Sequence, residues 1–583
     1  MPLSFQDANT FDWKVHKIAV IGPGIVGMPM AAMLAHARVV QGTAHPATVT
    51  VVQRDSPTSG WKVGSINAGR SPIGGLEPDL DRVVAGSVAA GLLRATHDMA
   101  EVADADVVLV CVQTDKAGFG PDYGPLMESL NAVATVLLNK PAGNVPLIVF
   151  ESTLAPSSMA TVIREHFARY GLEEGRDLLL GNSPNRVMPG RLVERVTTSD
   201  KIVAGLHPLT PRLIRLLYSR IVTGGMLLET NSMTAEVVKT LENAYRDVRI
   251  AYSTEIVRYC DDRDFDFYAI RDEVNRRLAQ SDGASSDPTA VPSGGILVPT
   301  VGVGGHCLPK DGILLWWRAI ESGVDTSRSL ILEARRINDA SPAETIRLAE
   351  RHLGKLTGQP VAIMGAAYRF NSEDTRNSPS LVLARLLLER GIKVTVHDPY
   401  VRPDDQNLAR LRLESSFTRD VDRALEAASL AFFCTAHQVY ADQRDRLLGA
   451  APQLRAVVDG CNLFRRQNFL GSGIRYVGIG RGRRPAPPGF TDFVLEGFQA
   501  VEHGLANELR GLIEFLNDRY ADGAFNRVDF EEVRRIAGTC VTGCRIAEPK
   551  DVLRVPSWEG FAPRLTALAV PPQKHGAAGA AIK

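Results

Sequence analysis

Residues 17–35 read KIAVIGPGIVGMPMAAMLA. Lys17 to Ile21 is an apolar run of strand length, Gly22, Gly24 and Gly27 permit a sharp turn, and the small apolar residues that follow suit a helix lying close on a sheet. VTVVQRD (49–55) and ADVVLVCVQT (105–114) then supply β-branched strands with no hairpin signal between them. Strands separated by helical patterns pair in parallel and are buried on both faces. The same order returns in PVAIMGAAYRF (360–370), SPSLVLARLLLERG (378–391), IKVTVHDPY (392–400) and ASLAFFCTAH (428–437). The chain therefore carries two such halves.

Met233 to Tyr259, between the halves, has the periodicity of one long helix, and SDGASSDPTAVPSGG (281–295) after it reads as a mobile loop. RRPAPPG (483–489) marks a linker. Beyond it Leu495, Phe498, Val501, Leu505, Leu509, Leu512, Ile513 and Leu516 recur at helical spacing, and the final PPQKHGAAGAAIK reads as disordered. The expected fold class is α/β: two Rossmann-like parallel-sheet domains joined by a long central helix, plus a small mainly helical C-terminal extension. The boundaries expected are 1–228, 229–340, 341–482 and 483–583.

Lys plus Arg and Asp plus Glu both number 66, so no global field gathers nucleic acid or an anionic membrane surface. The odd count of seven cysteines argues for reduced thiols and a cytoplasmic setting rather than a disulfide framework. Ile18 to Ala35 is uncharged, but Gly22, Pro23, Gly24, Gly27 and Pro29 interrupt any membrane helix. Asp7, Asp12 and the lack of a basic start weigh against a secretory signal. Neither nucleic acid nor membrane is expected as a partner.

Two groups of residues carry chemistry. Gly22, Gly24 and Gly27 form a GxGxxG between strand and helix, with Ile25 and Val26 inside the turn, the pattern that cradles a dinucleotide pyrophosphate at a helix N-terminus. Gln53 stands where an acid usually holds the adenosine ribose; an amide can still bond a hydroxyl, so NAD is expected over NADP. Thr114 and Thr153, each just past an apolar strand, are candidates to touch the cofactor.

In the second group Cys307 sits in GVGGHCLPKD (302–311), among glycines that would admit a bulky substrate. Cys111 and Cys434, by contrast, lie in apolar runs and read as inert. Lys239, Asn243 and Arg246 share one stripe of the central helix. Val238, Leu241, Ala244, Tyr245 and Val248 around them imply burial, which makes an unpaired lysine costly unless it faces a ligand cavity.

GPGIVG, ESTLAP, SPNRVMPGR, KTLENAYRDVRIAYSTE, GVGGHCLPKD, GAAYRFNSEDTRNSP and VTVHDPY occur in that order. Over roughly residues 15 to 482 the chain resembles the UDP-glucose, GDP-mannose and UDP-N-acetylhexosamine 6-dehydrogenase family. The GGHC and SPNRVMPGR forms resemble most the UDP-N-acetylhexosamine branch, on N-acetylmannosamine or N-acetylglucosamine. The resemblance implies an N-terminal NAD-binding domain, a dimerising central helical domain and a C-terminal UDP-sugar domain. It also implies a homodimer, a role in polysaccharide biosynthesis, and a four-electron oxidation of the sugar at C6 to a uronic acid. The aldehyde would be held on the cysteine as a thiohemiacetal and oxidised to a thioester, two NAD being consumed.

By the same resemblance Cys307 is the nucleophile, Lys239 the acid/base or oxyanion stabiliser, and Asn243 a donor to the reacting oxygen. Asp311 positions water or orients Lys239. Asn185, Arg186, Val187, Lys239, Asn243, Arg246 and Gly304 contact the sugar nucleotide, joined by Arg369 and Arg376 from the second half. Asn185 departs from the family, which usually has Glu there, thought to be a base in thioester hydrolysis; Asp311 or Glu151 would have to substitute, or hydrolysis is slow. Alternatives are UDP-glucose as substrate, or a catalytically impaired sugar-nucleotide binder with a regulatory or scaffold role. Cys540 and Cys544 offer too few ligands for a zinc site, so no metal is expected.

Overall fold

The computed structural model describes residues 13–74, 77–186, 190–281, 295–540 and 543–571. Val187, residues 282–294 of the loop read as mobile, and the tail from residue 572 lie outside the described residues. Residues up to 243, with 313–324 and 511–544, make one compact unit; 244–312, 325–510 and the residues from 545 make the other. The stretch expected as a central domain is thus shared between the two.

The first unit is built on an eight-stranded sheet. Its strands are β1 (Lys17–Ile21), β2 (Thr48–Val52), β3 (Leu93–Thr96), β4 (Val107–Val110), β7 (Leu147–Phe150), β8 (Leu179–Asn182), β9 (Lys201–Gly205) and β10 (Leu227–Asn231). They stand in the order β10-β9-β8-β7-β4-β1-β2-β3. Strand residues alternate between two cores: Ile18, Val20, Val49, Val51, Val107 and Leu109 face one layer, and Ala19, Ile21, Val52, Val108 and Val110 the other. This two-sided burial is why the strands read as continuous apolar runs.

Two details correct the sequence reading. β8 pairs with β9 antiparallel, so the sheet is mixed at one side rather than wholly parallel. A two-stranded hairpin, β5 (Asp115–Ala117) with β6 (Gly120–Asp122), also follows β4. Gly118 at φ +60 in its turn was the local signal.

The second unit holds a six-stranded, all-parallel sheet in the order β13-β12-β11-β14-β15-β16. Its strands are β11 (Val361–Met364), β12 (Val394–His397), β13 (Phe417–Thr418), β14 (Leu430–Phe433), β15 (Ala456–Asp459) and β16 (Arg475–Gly478). In each sheet the chain leaves the first strand, β1 or β11, toward one side and later returns to its other side at β4 or β14. The carboxyl ends of those strand pairs are the topological switch points where such sheets bind ligands.

The central helix spans Ser232–Arg263, longer at both ends than its apolar periodicity. The extension is helical as expected, with helices Phe490–Tyr520, Phe530–Ala537 and Arg564–Ala569. Within the second unit Tyr252 donates its hydroxyl to the Val494 carbonyl at 2.7 Å, and Tyr245 bonds Glu502 at 2.9 Å. The first residues of the expected linker are tied down as well, the Asp266 N–H donating to the Arg484 carbonyl at 2.8 Å. Among the described residues no helix is long and apolar enough to cross a membrane.

Asp261, on the part of the central helix in the second unit, accepts the Gly480 N–H at 2.8 Å. Burial pushes its carboxyl up to about 8. A carboxyl protonated when folded and ionised when unfolded makes the folded chain lose stability as pH climbs from the ordinary carboxylate range toward 8. Asp261→Asn mimics the protonated form. Its stability advantage over the parent should widen by a few kcal/mol between about pH 5 and about pH 8, as read from thermal melts across that range.

Candidate active site

In the first unit the glycine turn lies at the carboxyl end of β1, beside β4. Gly22 sits at φ +90, and a Cβ there would come 2.9 Å from the Cys111 carbonyl oxygen. A Cβ on Gly27 would fall 2.2 Å from the Gly22 oxygen, so this glycine is what lets helix Gly27–His36 approach the turn. Gly24 differs, because a Cβ there would meet nothing within 4 Å. The protein's own packing does not require glycine at 24, whereas a pyrophosphate approaching the backbone would. Val26 at the helix N-cap makes no side-chain cap, and in the first turn the Met28 N–H donates to the Gly24 carbonyl at 3.0 Å. Ile25 and Val26 are half-buried against the core. These residues fit a dinucleotide.

Gln53 follows β2, and its side-chain amide donates to the Ser59 hydroxyl at 2.9 Å and to the Arg54 carbonyl at 3.1 Å. Arg54 pairs with Glu128 at 2.8 Å instead of standing ready for a 2′-phosphate. Thr114 and Thr153 are brought together, the Thr114 hydroxyl donating to the Thr153 carbonyl at 2.7 Å. Glu151, weighed as a substitute base, is fully buried and held by Lys201 at 2.6 Å and by the Tyr218 hydroxyl at 2.5 Å. Its carboxylate is committed to that network. Asn185 packs beside it, the Asn185 N–H donating to the Glu151 carbonyl at 3.3 Å.

Lys239 is buried and forms no ion pair among the described residues, whereas Asn243 and Arg246 are half-buried along the same helix. Val238, Leu241, Ala244, Tyr245 and Val248 are buried, as their pattern implied. Arg186, expected as a contact to the sugar nucleotide, is held within the first unit. Its side chain is only 4% exposed and pairs at 2.5 Å with Glu242, one helical turn from Lys239. It also donates to the Thr539 hydroxyl at 2.9 Å and the Ile536 carbonyl at 2.8 Å. Glu242, Ile536 and Thr539 were not singled out by sequence reasoning; a buried acid inside an apolar helix pattern was the available signal.

In the second unit Cys307 caps helix Leu308–Glu321, its carbonyl accepting the N–H groups of Lys310 at 3.1 Å and Asp311 at 2.9 Å. A helix N-terminus stabilises negative charge. The thiol is partly exposed, whereas burial pushes the Cys434 thiol up to about 12 and those of Cys111, Cys260 and Cys461 well above the usual range. The loop glycines serve close packing: a Cβ on Gly304 would lie 2.4 Å from Tyr368 Cβ, and one on Gly305, at φ +89, 2.8 Å from its ring. Tyr368 fills the space expected to admit substrate at those two positions.

Segment 365–379 closes on this loop. The Gly305 N–H donates to the Arg376 carbonyl at 2.8 Å, and Asn377 donates to the Gly305 carbonyl at 2.9 Å. Arg376 forks onto Asp374 at 2.9 and 2.5 Å, and both Arg376 and Tyr368 lie within electrostatic reach of the thiol. Arg369 is half-buried, 5.7 Å from the Phe370 ring centre. Asp311 is fully buried and pairs with Lys310 at 2.7 Å. Asp398 accepts the N–H groups of Ala366 at 2.8 Å and Ala367 at 3.0 Å and bonds His437 at 3.0 Å, which fixes the turn after β11 at the second switch point. Among the described residues no cluster suits a metal ion.

Residues 16–222 match the NAD binding domain of the UDP-glucose/GDP-mannose dehydrogenase family, 233–340 its central domain and 362–466 its UDP binding domain. The chain belongs to this family. UDP-N-acetyl-D-mannosamine dehydrogenase of Pyrococcus horikoshii is 30% identical over 470 residues, which are 80% of this chain and 99% of that protein. NDP-N-acetyl-D-galactosaminuronic acid dehydrogenase of Ralstonia solanacearum is 29% identical, over 76% of this chain and 95% of its own length. The crystal structure of NDP-N-acetyl-D-galactosaminuronic acid dehydrogenase from Methanosarcina mazei matches with a TM-score of 0.66 at 30% identity, covering 82% of this chain and 98% of that one.

Membership makes the protein an NAD-dependent nucleotide-sugar dehydrogenase, with the glycine cradle in its NAD binding domain and segment 365–379 in its UDP binding domain. The Arg186–Glu242 pair lies within the first unit and away from water. Arg186→Met should therefore cost about 3–5 kcal/mol by stranding a buried carboxylate, and Arg186→Met combined with Glu242→Leu should recover most of it. Denaturant unfolding of the two variants checks this.

Proposed function

We propose that this dehydrogenase oxidises a UDP-N-acetylhexosamine at C6 to the uronic acid, through a thiohemiacetal and then a thioester on Cys307. The observation that carries the proposal is the setting of Cys307: a partly exposed thiol at the N-terminus of helix Leu308–Glu321, with Arg376 and Tyr368 in electrostatic reach. NAD, when bound, supplies the oxidising power for both steps. Gly22, Gly24, Ile25, Val26 and Gly27 hold its pyrophosphate, Gln53 meets its ribose, and Thr114 and Thr153 wall the pocket.

Lys239 takes the alcohol proton and stabilises the developing oxyanion, and Asn243 donates to the same oxygen. The burial of Lys239 on the central helix, without an ion pair among the described residues, supports that role, since a buried amine is costly unless it faces a polar ligand. Arg246, Arg369 and Arg376 face the sugar nucleotide. The N-acetylated sugar is favoured by relatives named for UDP-N-acetyl-D-mannosamine and NDP-N-acetyl-D-galactosaminuronic acid. Two NADH per uronate from a panel of UDP- and GDP-sugars, lost in Cys307→Ala, is the expected result; undiminished NADH formation by that variant would refute the nucleophile.

Thioester hydrolysis is the slow step in this reading. Residue 185 is an amide that cannot serve as a base near neutrality, and Glu151 is tied to Lys201 and Tyr218. Asp311, fully buried and paired with Lys310 at 2.7 Å, is the carboxylate this reading assigns to positioning water. A burst of NADH followed by slow turnover is expected, with a thioester adduct visible by intact mass. Asn185→Glu should speed the steady state by about 100-fold and abolish the adduct. Asn185 also favours a second reading, a sugar-nucleotide binder that turns over poorly; it is distinguished by an adduct that never yields acid.

A further inference from the structure

The family's domain matches end at residue 466, and residues 511–544 nevertheless belong to the same compact unit as the NAD binding domain. What they touch there is specific. Helix Phe530–Ala537 starts on Asp529, which accepts the Glu532 N–H at 2.8 Å, and buries Val533, Ile536 and Ala537. Its last turn then offers the Ile536 carbonyl and the Thr539 hydroxyl to the Arg186 guanidinium. The Cys540 thiol donates to Glu242, the acid that Arg186 neutralises. A cation at a helix C-terminus is favourable, and here it is almost out of water.

Glu242 sits three residues after Lys239 on one helix, and the charges felt by its buried carboxylate are those of Arg186 and Lys239. Arg186 has therefore little surface left for a substrate. Its guanidinium is consumed in holding Glu242, and the extension supplies the remaining acceptors. Arg186 Nε has no partner among the described residues, so the site has no spare acceptor to compensate if one is lost.

We infer that the C-terminal extension is a working part of the catalytic centre: Thr539 and Cys540 are positioning residues that fix Arg186 and Glu242, and through Glu242 set the place and charge balance of Lys239. This rests on the reading of Lys239 as the acid/base. Loss of the Thr539 hydroxyl removes one hydrogen bond to a buried charged group and frees Arg186 to pull Glu242 away from its register with Lys239.

The test is steady-state kinetics of the full chain with NAD and the UDP-sugar it oxidises. Thr539→Val should lower kcat by about tenfold and leave the KM for NAD unchanged, and Thr539→Ser should restore kcat to within about twofold. Cys540→Ala and Cys540→Ser should differ in the same direction, since only serine keeps a donor to Glu242. Unchanged kcat in Thr539→Val overturns the inference, as does an equal loss in the serine variant. If the parent oxidises no nucleotide sugar, the functional reading fails but the contact is still testable. Hydrogen exchange at amides 239–243 should then quicken in Thr539→Val and not in Thr539→Ser, and unchanged exchange in both overturns it.

Discussion

Burying carboxyl groups, charged or protonated, on the central helix is the constraint on which the rest of this structure turns. Ser232–Arg263 is buried along most of its length, yet it carries Glu236, Glu242, Asp247, Glu255 and Asp261 in buried or nearly buried positions. A carboxylate removed from water without partners is too costly for a fold of ordinary stability. Each is answered from elsewhere in its own unit. Glu236 accepts the Ser157 and Met159 N–H groups, Glu242 meets Arg186, Asp247 meets Arg335, Glu255 accepts the Arg564 and Leu565 N–H groups, and Asp261 accepts that of Gly480. Lys239, buried on the same helix, forms no ion pair among the described residues and has the Glu242 carboxyl, three residues on, as its charged neighbour.

The extension takes part in that compensation at two places. Residues 564 and 565 satisfy Glu255 in the second unit, and residues 536–540 satisfy the Arg186–Glu242 pair in the first. Its helical repeat alone is equally consistent with an appendage that packs on itself. Polar contacts to buried charges are more demanding than apolar packing, because they fail when one donor or acceptor is displaced. This is why the extension reads as an integral part of the molecule.

Identical residue types serve different ends in the two glycine loops. Gly22 and Gly27 are required by the chain's own backbone, Gly304 and Gly305 by the Tyr368 ring, and Gly24 by neither, since a Cβ there would meet nothing within 4 Å. Glycine spacing could point to the first loop because a strand and a helix flank it in sequence. It could not reveal that Tyr368, some sixty residues away, occupies the room beside Gly304 and Gly305, since that contact depends on how segment 365–379 folds onto the cysteine loop.

Sequence alone determined the two α/β halves, the glycine cradle, the central helix and the order of family motifs, because each is written in local periodicity and short spacing. The tertiary structure decided what those residues are free to do. It locked Glu151 into a buried network with Lys201 and Tyr218, turned β9 antiparallel to β8, and withdrew Arg186 into the interior against Thr539. The physical reason is the same in each case: a charge or strand edge is satisfied by whichever partner the fold brings near, and that partner lies far away in the chain.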